Sequence, residues 1–142
     1  MTLQGTINHV ALAVSDLDSA MTFFTPLLNL LGYEVGTVSS YQDHRLVVSV
    51  HRSNGIAINV WEAEQAHPFH VYEPGLHHLA FNVDSTARVD ELAALVVELG
   101  GEILDGPGEF PFAESGYYAV YFLGPDRMKI EAVFMPELAA QV

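Results

Sequence analysis

Alternating apolar and polar positions occur twice along the chain in the same arrangement. Residues 9–14 and 78–83 each begin with a histidine, carry an alanine two positions later and are otherwise largely apolar, which is typical of a half-buried strand. A helical pattern of apolar residues follows each segment and ends in a Leu-Gly pair, at 31–32 and 99–100. The match predicts a duplicated unit in which each copy starts on a histidine-bearing strand.

The first repeat, at about residues 5–66, is predicted to form a strand, a helix and three further strands. Ser15 and Asp16 are candidate caps of the helix, which is predicted to run to about Leu31. Pro26 lies inside this helix and is expected to kink or split it, because proline lacks the amide hydrogen. The strands are predicted at 6–14, 33–39, 45–51 and 56–61, with a polar connection at 40–44 and an Asn-Gly turn at 54–55.

The second repeat, at about residues 74–136, is predicted to have the same order of elements. Ser85 or Thr86 caps its helix. Its strands are predicted at 76–83, 102–104, 117–123 and 128–134, with a loop at 105–116. One copy alone cannot bury both its helix and its sheet. We therefore expect the α+β class, with a single domain over 1–142 whose two βαβββ modules form a cupped eight-stranded mixed sheet with the helices outside.

Composition narrows the range of functions. The chain has 142 residues, half of them hydrophobic, and no cysteine, which excludes disulfides and thiolate metal sites. Its 5 lysine and arginine residues against 18 aspartate and glutamate residues disfavour nucleic acid, and also substrates that carry several phosphates. No apolar run is long enough to span a bilayer, and the N-terminus lacks a signal-peptide pattern. We therefore expect a cytoplasmic protein that does not bind membranes.

Superposing the two repeats brings four polar residues into equivalent places. His9 matches His78, and Asn59 matches Glu131 on the last strand of each copy. Two neutral imidazoles and one carboxylate suit a divalent transition metal that keeps open positions. Asn59 is expected to hydrogen-bond a bound water or substrate. The alternative for each histidine is a hydrogen-bonded core residue, and for Glu131 it is a surface salt bridge with Lys129.

Several other residues are predicted to lie around this set. Ala11 and Ala80 follow the histidines by two positions, so they share a face with them and leave space for a ligand. Trp61 shares the face of Asn59 and is either core or a wall of the substrate site. His70 lies in the connection between the copies, where it is either solvated or lines the mouth of the cup.

Aromatic residues of the second repeat are further candidates. Tyr117 and Tyr118 are adjacent, so one faces in and the other faces out. The inward phenol either donates a proton or orients substrate, with simple packing as the alternative. Phe110 and Phe112 lie on the long loop, as a lid or as an oligomer contact. His77 is predicted to point away from the histidine that follows it, as a structural residue.

Three segments of the chain resemble the vicinal oxygen chelate superfamily, which includes glyoxalase I, methylmalonyl-CoA epimerase, extradiol dioxygenases and bleomycin-binding proteins. They are residues 7–17, 75–81 and 124–131, and the resemblance covers nearly the whole chain. It implies His9, His78 and Glu131 as ligands of a divalent metal (Zn, Ni, Fe, Mn or Co), a small-molecule substrate with vicinal oxygens, and a homodimer. Asn59 stands at the fourth ligand position of the family, and Arg127 stands where the family usually has glycine.

The leading functional hypothesis is a metal-dependent lyase or isomerase in which Glu131, Tyr117 or Tyr118 transfers a proton. An extradiol-type dioxygenase is the alternative with the same ligand set. Two alternatives involve no chemistry: a protein that sequesters an antibiotic-like ligand, and a metal-stabilised structural dimer.

Overall fold

Each half of the chain folds as a strand, a helix and then further strands. The computed structural model describes residues 2–140, and it divides into two compact units at the junction of His67 and Pro68. The first unit contains β1 (His9–Val14), α1 (Leu17–Leu30), β2 (Tyr33–Val35), β3 (Ser39–Tyr41), β4 (His44–His51) and β5 (Ala57–Glu62). The second contains β6 (Leu79–Asn82), α2 (Thr86–Glu98), β7 (Glu102–Glu109), β8 (Tyr118–Leu123), β9 (Lys129–Phe134) and α3 (Pro136–Ala139). None of the helices in residues 2–140 has the length and apolar character of a membrane span.

The strands of each unit form one mixed sheet. Within residues 2–140, the first sheet has the order β1-β5-β4-β2 with β3 paired to β4, and the second has the order β6-β9-β8-β7. In each sheet the strand before the helix runs parallel to the last strand, and the other pairings are antiparallel. The predicted α+β class and its two βαβββ modules are confirmed, and β3 is an additional short strand of the first module.

The registers of the two sheets are equivalent. Ala11 on β1 lies opposite Asn59 on β5, and Ala80 on β6 lies opposite Glu131 on β9. Each of these alanines follows a histidine by two residues. The correspondence between Asn59 and Glu131 that the sequence repeat predicts is therefore confirmed by the strand pairing.

The helix α1 is held to the first sheet by its apolar stripe. Asp16 caps the helix, because its side chain accepts a hydrogen bond from the Ser19 amide. The buried residues of the stripe are Leu17, Ala20, Phe23, Phe24, Leu27 and Leu28. Burial of each large apolar side chain contributes about 1.5–3 kcal/mol. This packing continues on both sides of Pro26, so α1 is not split there although one backbone hydrogen bond is lost.

The helix α2 is arranged in the same way on the second sheet. The hydroxyl of Ser85 accepts a hydrogen bond from the Arg88 amide, so Ser85, and not Thr86, is the cap. The buried residues of α2 are Val89, Leu92, Ala93 and Val96, and the helix contacts β7, β8 and β9. Their spacing of three and four residues confirms the predicted apolar stripe.

The strand predicted at 33–39 is interrupted at Gly36. The amide of Gly36 donates to the carbonyl oxygen of Val48 at 3.1 Å, and a Cβ built at Gly36 would overlap that same oxygen. Beyond this point β3 and β4 form a hairpin where the sequence predicted a polar connection. Its turn lies at Gln42 and Asp43, whose φ angles of 49° and 64° are those of a type I′ turn. The sequence gives no Asn-Gly signal here, which is why this hairpin was missed.

Two boundaries of the second unit also differ from the prediction. The strand expected at 76–83 begins only at Leu79, so the preceding residues are irregular. The loop expected at 105–116 is partly strand, because β7 continues to Glu109. Its pairing with β8 shifts register at two points, next to Asp105 and Gly108, which marks bulges. Glycine, proline and aspartate in such a bulged strand resemble a loop in the sequence.

The turn between β8 and β9 contains two residues in the left-handed region. Asp126 has a φ of 56° and Arg127 a φ of 60°. A residue with a Cβ is strained at such angles, whereas glycine adopts them freely. Arg127 stands where the family that the chain resembles usually has glycine, which adopts such angles without strain.

We therefore expect Arg127→Gly to stabilise the second unit by about 0.5–1 kcal/mol. The substitution also removes a contact of 3.9 Å with Glu102, but both side chains are largely exposed and such pairs contribute little. Urea unfolding of the wild type, Arg127→Gly and Arg127→Ala tests this expectation. Arg127→Ala loses the same charge without relieving the backbone, so equal midpoints for the two variants would contradict the explanation.

Candidate functional site

A buried carboxylate lies in the middle of the second sheet. Glu131 is on β9, between β6 and β8, and only 1% of its surface is exposed. The hydroxyl of Tyr117 donates a hydrogen bond to Oε1 of Glu131. Nε2 of His78 lies 3.2 Å from Oε2. Both oxygens of the carboxylate therefore face polar partners from other segments of the same unit.

These partners explain how the sheet tolerates a carboxylate at this depth. Removing a carboxylate from water without partners is very costly, so buried carboxylates are hydrogen-bonded, paired or bound to metal. The alternative of a surface salt bridge between Glu131 and Lys129 is wrong, because Glu131 is buried. Nζ of Lys129 instead lies over the ring of Tyr121, 5.1 Å from its centroid.

The hydroxyl of Tyr117 is held in its protonated form. Burial is the main cause that raises the pKa of Tyr117 well above its usual value of 10.0, and the hydrogen bond to Glu131 adds to it. The pKa of Tyr121, which lies opposite Glu131 on the neighbouring strand, is also raised mainly by burial. A phenol with a raised pKa keeps its proton near neutral pH, so it can donate a hydrogen bond but is neither a base nor a strong acid there.

Tyr118 points to the other side of its strand. Its hydroxyl donates to Oδ1 of Asp90 on α2 at 2.7 Å, and this hydrogen bond is the main cause that raises the pKa of Tyr118. The prediction that the two adjacent tyrosines face opposite sides is therefore confirmed. The structure brings Tyr117 to Glu131 and places Tyr118 on the helix side, away from that carboxylate.

Two adjacent histidines contact each other beside Glu131. Nδ1 of His77 and Nδ1 of His78 are 2.8 Å apart, and the two ring centroids are 5.0 Å apart. The prediction that they point to opposite faces is wrong, because both residues precede β6 and do not follow the alternation of a strand. The ring of Tyr72 packs edge-on against His77, with centroids 5.3 Å apart.

An aromatic cluster adjoins the tyrosines of this site. Phe110 and Phe112 stack with their centroids 5.6 Å apart. Phe110 packs edge-on with Tyr121, and Phe112 packs edge-on with Tyr117, each with ring centroids 5.3 Å apart. These phenylalanines, predicted as a lid or an oligomer contact, thus support the tyrosines of their own unit. Ala80, opposite Glu131, is exposed.

In the first unit, the face of β1 that carries His9 is open. His9, Ala11 and Ala13 are exposed, whereas Leu12 and Val14 are buried, as the alternating pattern predicts. Nδ1 of His9 is 2.7 Å from Oδ1 of its neighbour Asn8. His70, in the second unit, is exposed and lies in a turn in which its carbonyl accepts from the Glu73 amide.

Asn59 and Trp61 lie on β5, beside this open face of β1. Asn59 pairs with Ala11 and Trp61 pairs with Ala13. Oδ1 of Asn59 is buried, and no hydrogen-bond partner for it lies among the described residues. An unsatisfied buried amide oxygen costs about 1–3 kcal/mol, so it is a place where a water or a ligand would be stabilising. Trp61 is half-buried, with its ring edge-on to Tyr41 at 6.4 Å.

His78 and Glu131 have the chemistry of two ligands to one metal ion. Imidazole and carboxylate ligands lie about 2.1 Å from a bound divalent ion, so two neighbouring ligand atoms are about 3.0–3.4 Å apart. The separation of 3.2 Å between Nε2 and Oε2 fits that range. Within residues 2–140, no set of three or more histidine, aspartate or glutamate side chains is arranged as a complete metal-binding group. The pair therefore fits as part of a ligand set, and His9 stays a predicted third ligand.

Two features of this site were not predicted from the sequence, namely Tyr121 and the contact between His77 and His78. Tyr121 follows Tyr117 by four positions, so strand alternation puts it on the same face, and this signal was available. The contact between His77 and His78 carried no such signal, because it depends on where β6 begins.

Comparison with known proteins identifies relatives of this chain. The sequence model of the Glyoxalase/Bleomycin resistance protein/Dioxygenase superfamily matches residues 6–132. The uncharacterized protein YqjT of Bacillus subtilis is 32% identical over 130 residues, which cover 89% of this chain and 97% of that protein. The ethylmalonyl-CoA/methylmalonyl-CoA epimerase of Cereibacter sphaeroides is 32% identical over 133 residues, which cover 85% of this chain and 89% of the enzyme. The crystal structure of a glyoxylase/bleomycin resistance protein/dioxygenase domain from Frankia sp. EAN1pec is similar with a TM-score of 0.76 at 25% identity, covering 94% of this chain and 99% of that domain.

Proposed function

Because the chain belongs to the Glyoxalase/Bleomycin resistance protein/Dioxygenase superfamily, we propose that it is a divalent-metal-dependent enzyme acting on a small substrate with two vicinal oxygens. The proposed reaction is of the lyase or isomerase type. The observation that carries the proposal is the buried Glu131, whose carboxylate meets His78 and Tyr117. A carboxylate and an imidazole at ligand spacing, beside a protonated phenol, combine metal binding with a hydrogen-bond donor.

The epimerase among the relatives favours isomerase-type chemistry. That enzyme is 32% identical to this chain over most of both sequences. Epimerisation moves a proton at a carbon atom and therefore needs groups that take it up and return it. Glu131 stays the candidate group that takes up the proton, and Tyr117 is assigned the role of orienting substrate, because its raised pKa keeps its hydroxyl protonated and makes it a weak acid. Tyr118 is left out of this role, because its hydroxyl donates to Asp90 on the helix side, away from Glu131.

His78 and Glu131 would hold the metal, with His9 as the third ligand. A bound divalent ion stabilises the negative charge that develops on a substrate oxygen during such a reaction. Tyr117 holds the carboxylate of Glu131 through its hydrogen bond. The small side chain of Ala80 leaves room beside the carboxylate. Asn59 and Trp61 stay proposed substrate contacts from the first unit, together with Ala11, and His70 from the second.

The cations of the chain argue against transferring a CoA substrate from the epimerase. Arg45 is paired with Asp18 at 2.7 Å and with Glu62 at 3.1 Å. Arg88 is paired with Glu91 at 2.9 Å. Arg127 lies 3.9 Å from Glu102. Recognition of several phosphates needs converging cations, and three of the five in this chain already have carboxylate partners. We therefore propose a substrate without phosphate groups.

Elemental analysis of the purified protein tests this function. We expect a stoichiometric divalent ion that a chelator removes, and His9→Ala should weaken its rebinding. His44→Ala is the matched control, because His44 is a partly exposed histidine of the first unit paired with Glu64. A protein without bound ion whose titration with added metal is unchanged by His9→Ala would contradict the proposal.

The same measurements separate the alternatives. Iron would favour the extradiol-type dioxygenase over the lyase or isomerase, because oxygen activation needs a redox-active ion. Ligand binding that persists in chelator would favour the non-catalytic binding protein. The homodimer and the cytoplasmic location are also proposed, from the family resemblance and the composition respectively. Light scattering in solution tests the first of these.

A further inference from the structure

The contact between His77 and His78 assigns a role to a residue outside the ligand set. We propose that His77 is a positioning residue that fixes the tautomer and the ring orientation of His78 for metal binding, an inference that rests on the proposed function. His77 is exposed, and its Nδ1 is 2.8 Å from Nδ1 of His78. Nε2 of His78 faces Glu131, so the two nitrogens of this ring contact two different residues, Glu131 and His77.

Without metal, the two contacts of His78 fit one neutral tautomer. In that tautomer Nε2 of His78 carries the proton and faces the carboxylate of Glu131, which accepts hydrogen bonds, at 3.2 Å. Nδ1 of a neutral His78 is then an acceptor, and Nδ1 of His77 donates to it. The observed pair of contacts therefore orients the chain of hydrogen bonds from His77 through His78 to Glu131.

Binding of a metal through Nε2 reverses this polarity. A neutral imidazole that ligates through Nε2 carries its proton on Nδ1, and that group needs an acceptor. Nδ1 of His77 lies at the required position and can supply the lone pair after its own proton moves to Nε2. Imidazole suits this place because the same atom is a donor in one tautomer and an acceptor in the other.

Aromatic rings flank both histidines. The ring of Tyr72 packs edge-on against it, with centroids 5.3 Å apart. His78 in turn packs edge-on against Tyr121, with centroids 6.2 Å apart. The two imidazoles thus lie in a row of aromatic rings that begins at the exposed Tyr72.

Two variants of His77 separate hydrogen bonding from packing. His77→Phe keeps a ring against Tyr72 and removes the Nδ1 group. His77→Asn loses the ring but keeps an oxygen near the position of Nδ1. We expect His77→Phe to weaken cobalt(II) binding roughly 10–100-fold, as outer-shell substitutions do, and to shift the visible absorption of the bound ion. His77→Asn should recover most of the affinity and the wild-type absorption.

Nitrogen NMR of the wild-type imidazoles gives an independent readout that needs no variant. We expect protonation at Nε2 of His78 without metal, and at Nδ1 of His78 when zinc is added, with His77 changing in the opposite sense. If the wild type binds cobalt(II) but His77→Phe leaves its affinity and absorption unchanged, or if the tautomer of His77 is the same with and without zinc, the inference is overturned. Failure of the wild type itself to bind either metal overturns the proposed function instead.

Discussion

Replacing Glu131 with glutamine should remove tight binding of a divalent metal while leaving the protein folded. Glutamine has nearly the same shape and keeps an oxygen that can accept from Tyr117, so the second sheet retains its packing. The negative charge is lost, and a neutral amide is a weak ligand to a divalent ion. We therefore expect the affinity to fall by more than the roughly 10–100-fold that outer-shell changes cause. Competition with a chromophoric chelator measures it.

The matched control is Glu102→Gln. Glu102 lies on β7 of the same unit, its side chain is 63% exposed, and the substitution changes the net charge by the same amount. It should leave the metal affinity unchanged. Equal losses for the two variants would mean that the metal responds to the overall negative charge of the chain, and Glu131 would then lose its place as a ligand. Circular dichroism checks that both variants are folded.

Replacing Gly36 with alanine should strongly destabilise the first unit. The amide of Gly36 donates to the carbonyl of Val48, and an added Cβ would overlap that carbonyl oxygen. The oxygen belongs to the backbone of β4, which is paired on its other side with β5, so it cannot move away at low cost. Overpacking together with a lost hydrogen bond costs roughly 2–4 kcal/mol. Urea unfolding measures the loss.

Gly108→Ala is the control for this substitution. Gly108 lies in β7, has no positive φ, and an added Cβ there would meet no atom within 4 Å. The free energy of unfolding of this variant should lie within about 0.5 kcal/mol of the wild-type value. If both glycines tolerate alanine equally, the close approach between Gly36 and Val48 is not what interrupts the strand.

The elements that the sequence predicted correctly have strong periodic signals. Both helices follow apolar stripes with a capping side chain, Asp16 or Ser85, at the start. The errors lie where a single contact overrides the local pattern. Gly36 interrupts a strand because of the carbonyl that it approaches, and α1 continues through Pro26 because packing offsets one lost hydrogen bond.

The site shows the same division. The repeat predicted that Glu131 and Asn59 occupy equivalent positions in the two modules, and the strand pairing of both sheets agrees. Adjacency in the sequence also predicted that Tyr117 and Tyr118 face opposite sides. Which of the two meets the carboxylate depends on the positions of β8 and α2, and that could not be read from two neighbouring tyrosines.

The sequence by itself determined the two modules, their fold class and the equivalence of Asn59 and Glu131, because duplication and alternation are properties of residue order. Only the tertiary structure decided how deeply Glu131 is buried, that His78 and Tyr117 are its partners, and that His77 contacts His78. These facts depend on where a strand begins and on which backbone segments approach each other. Such distances are fixed by the packing of residues far apart in the chain, and no local pattern encodes them.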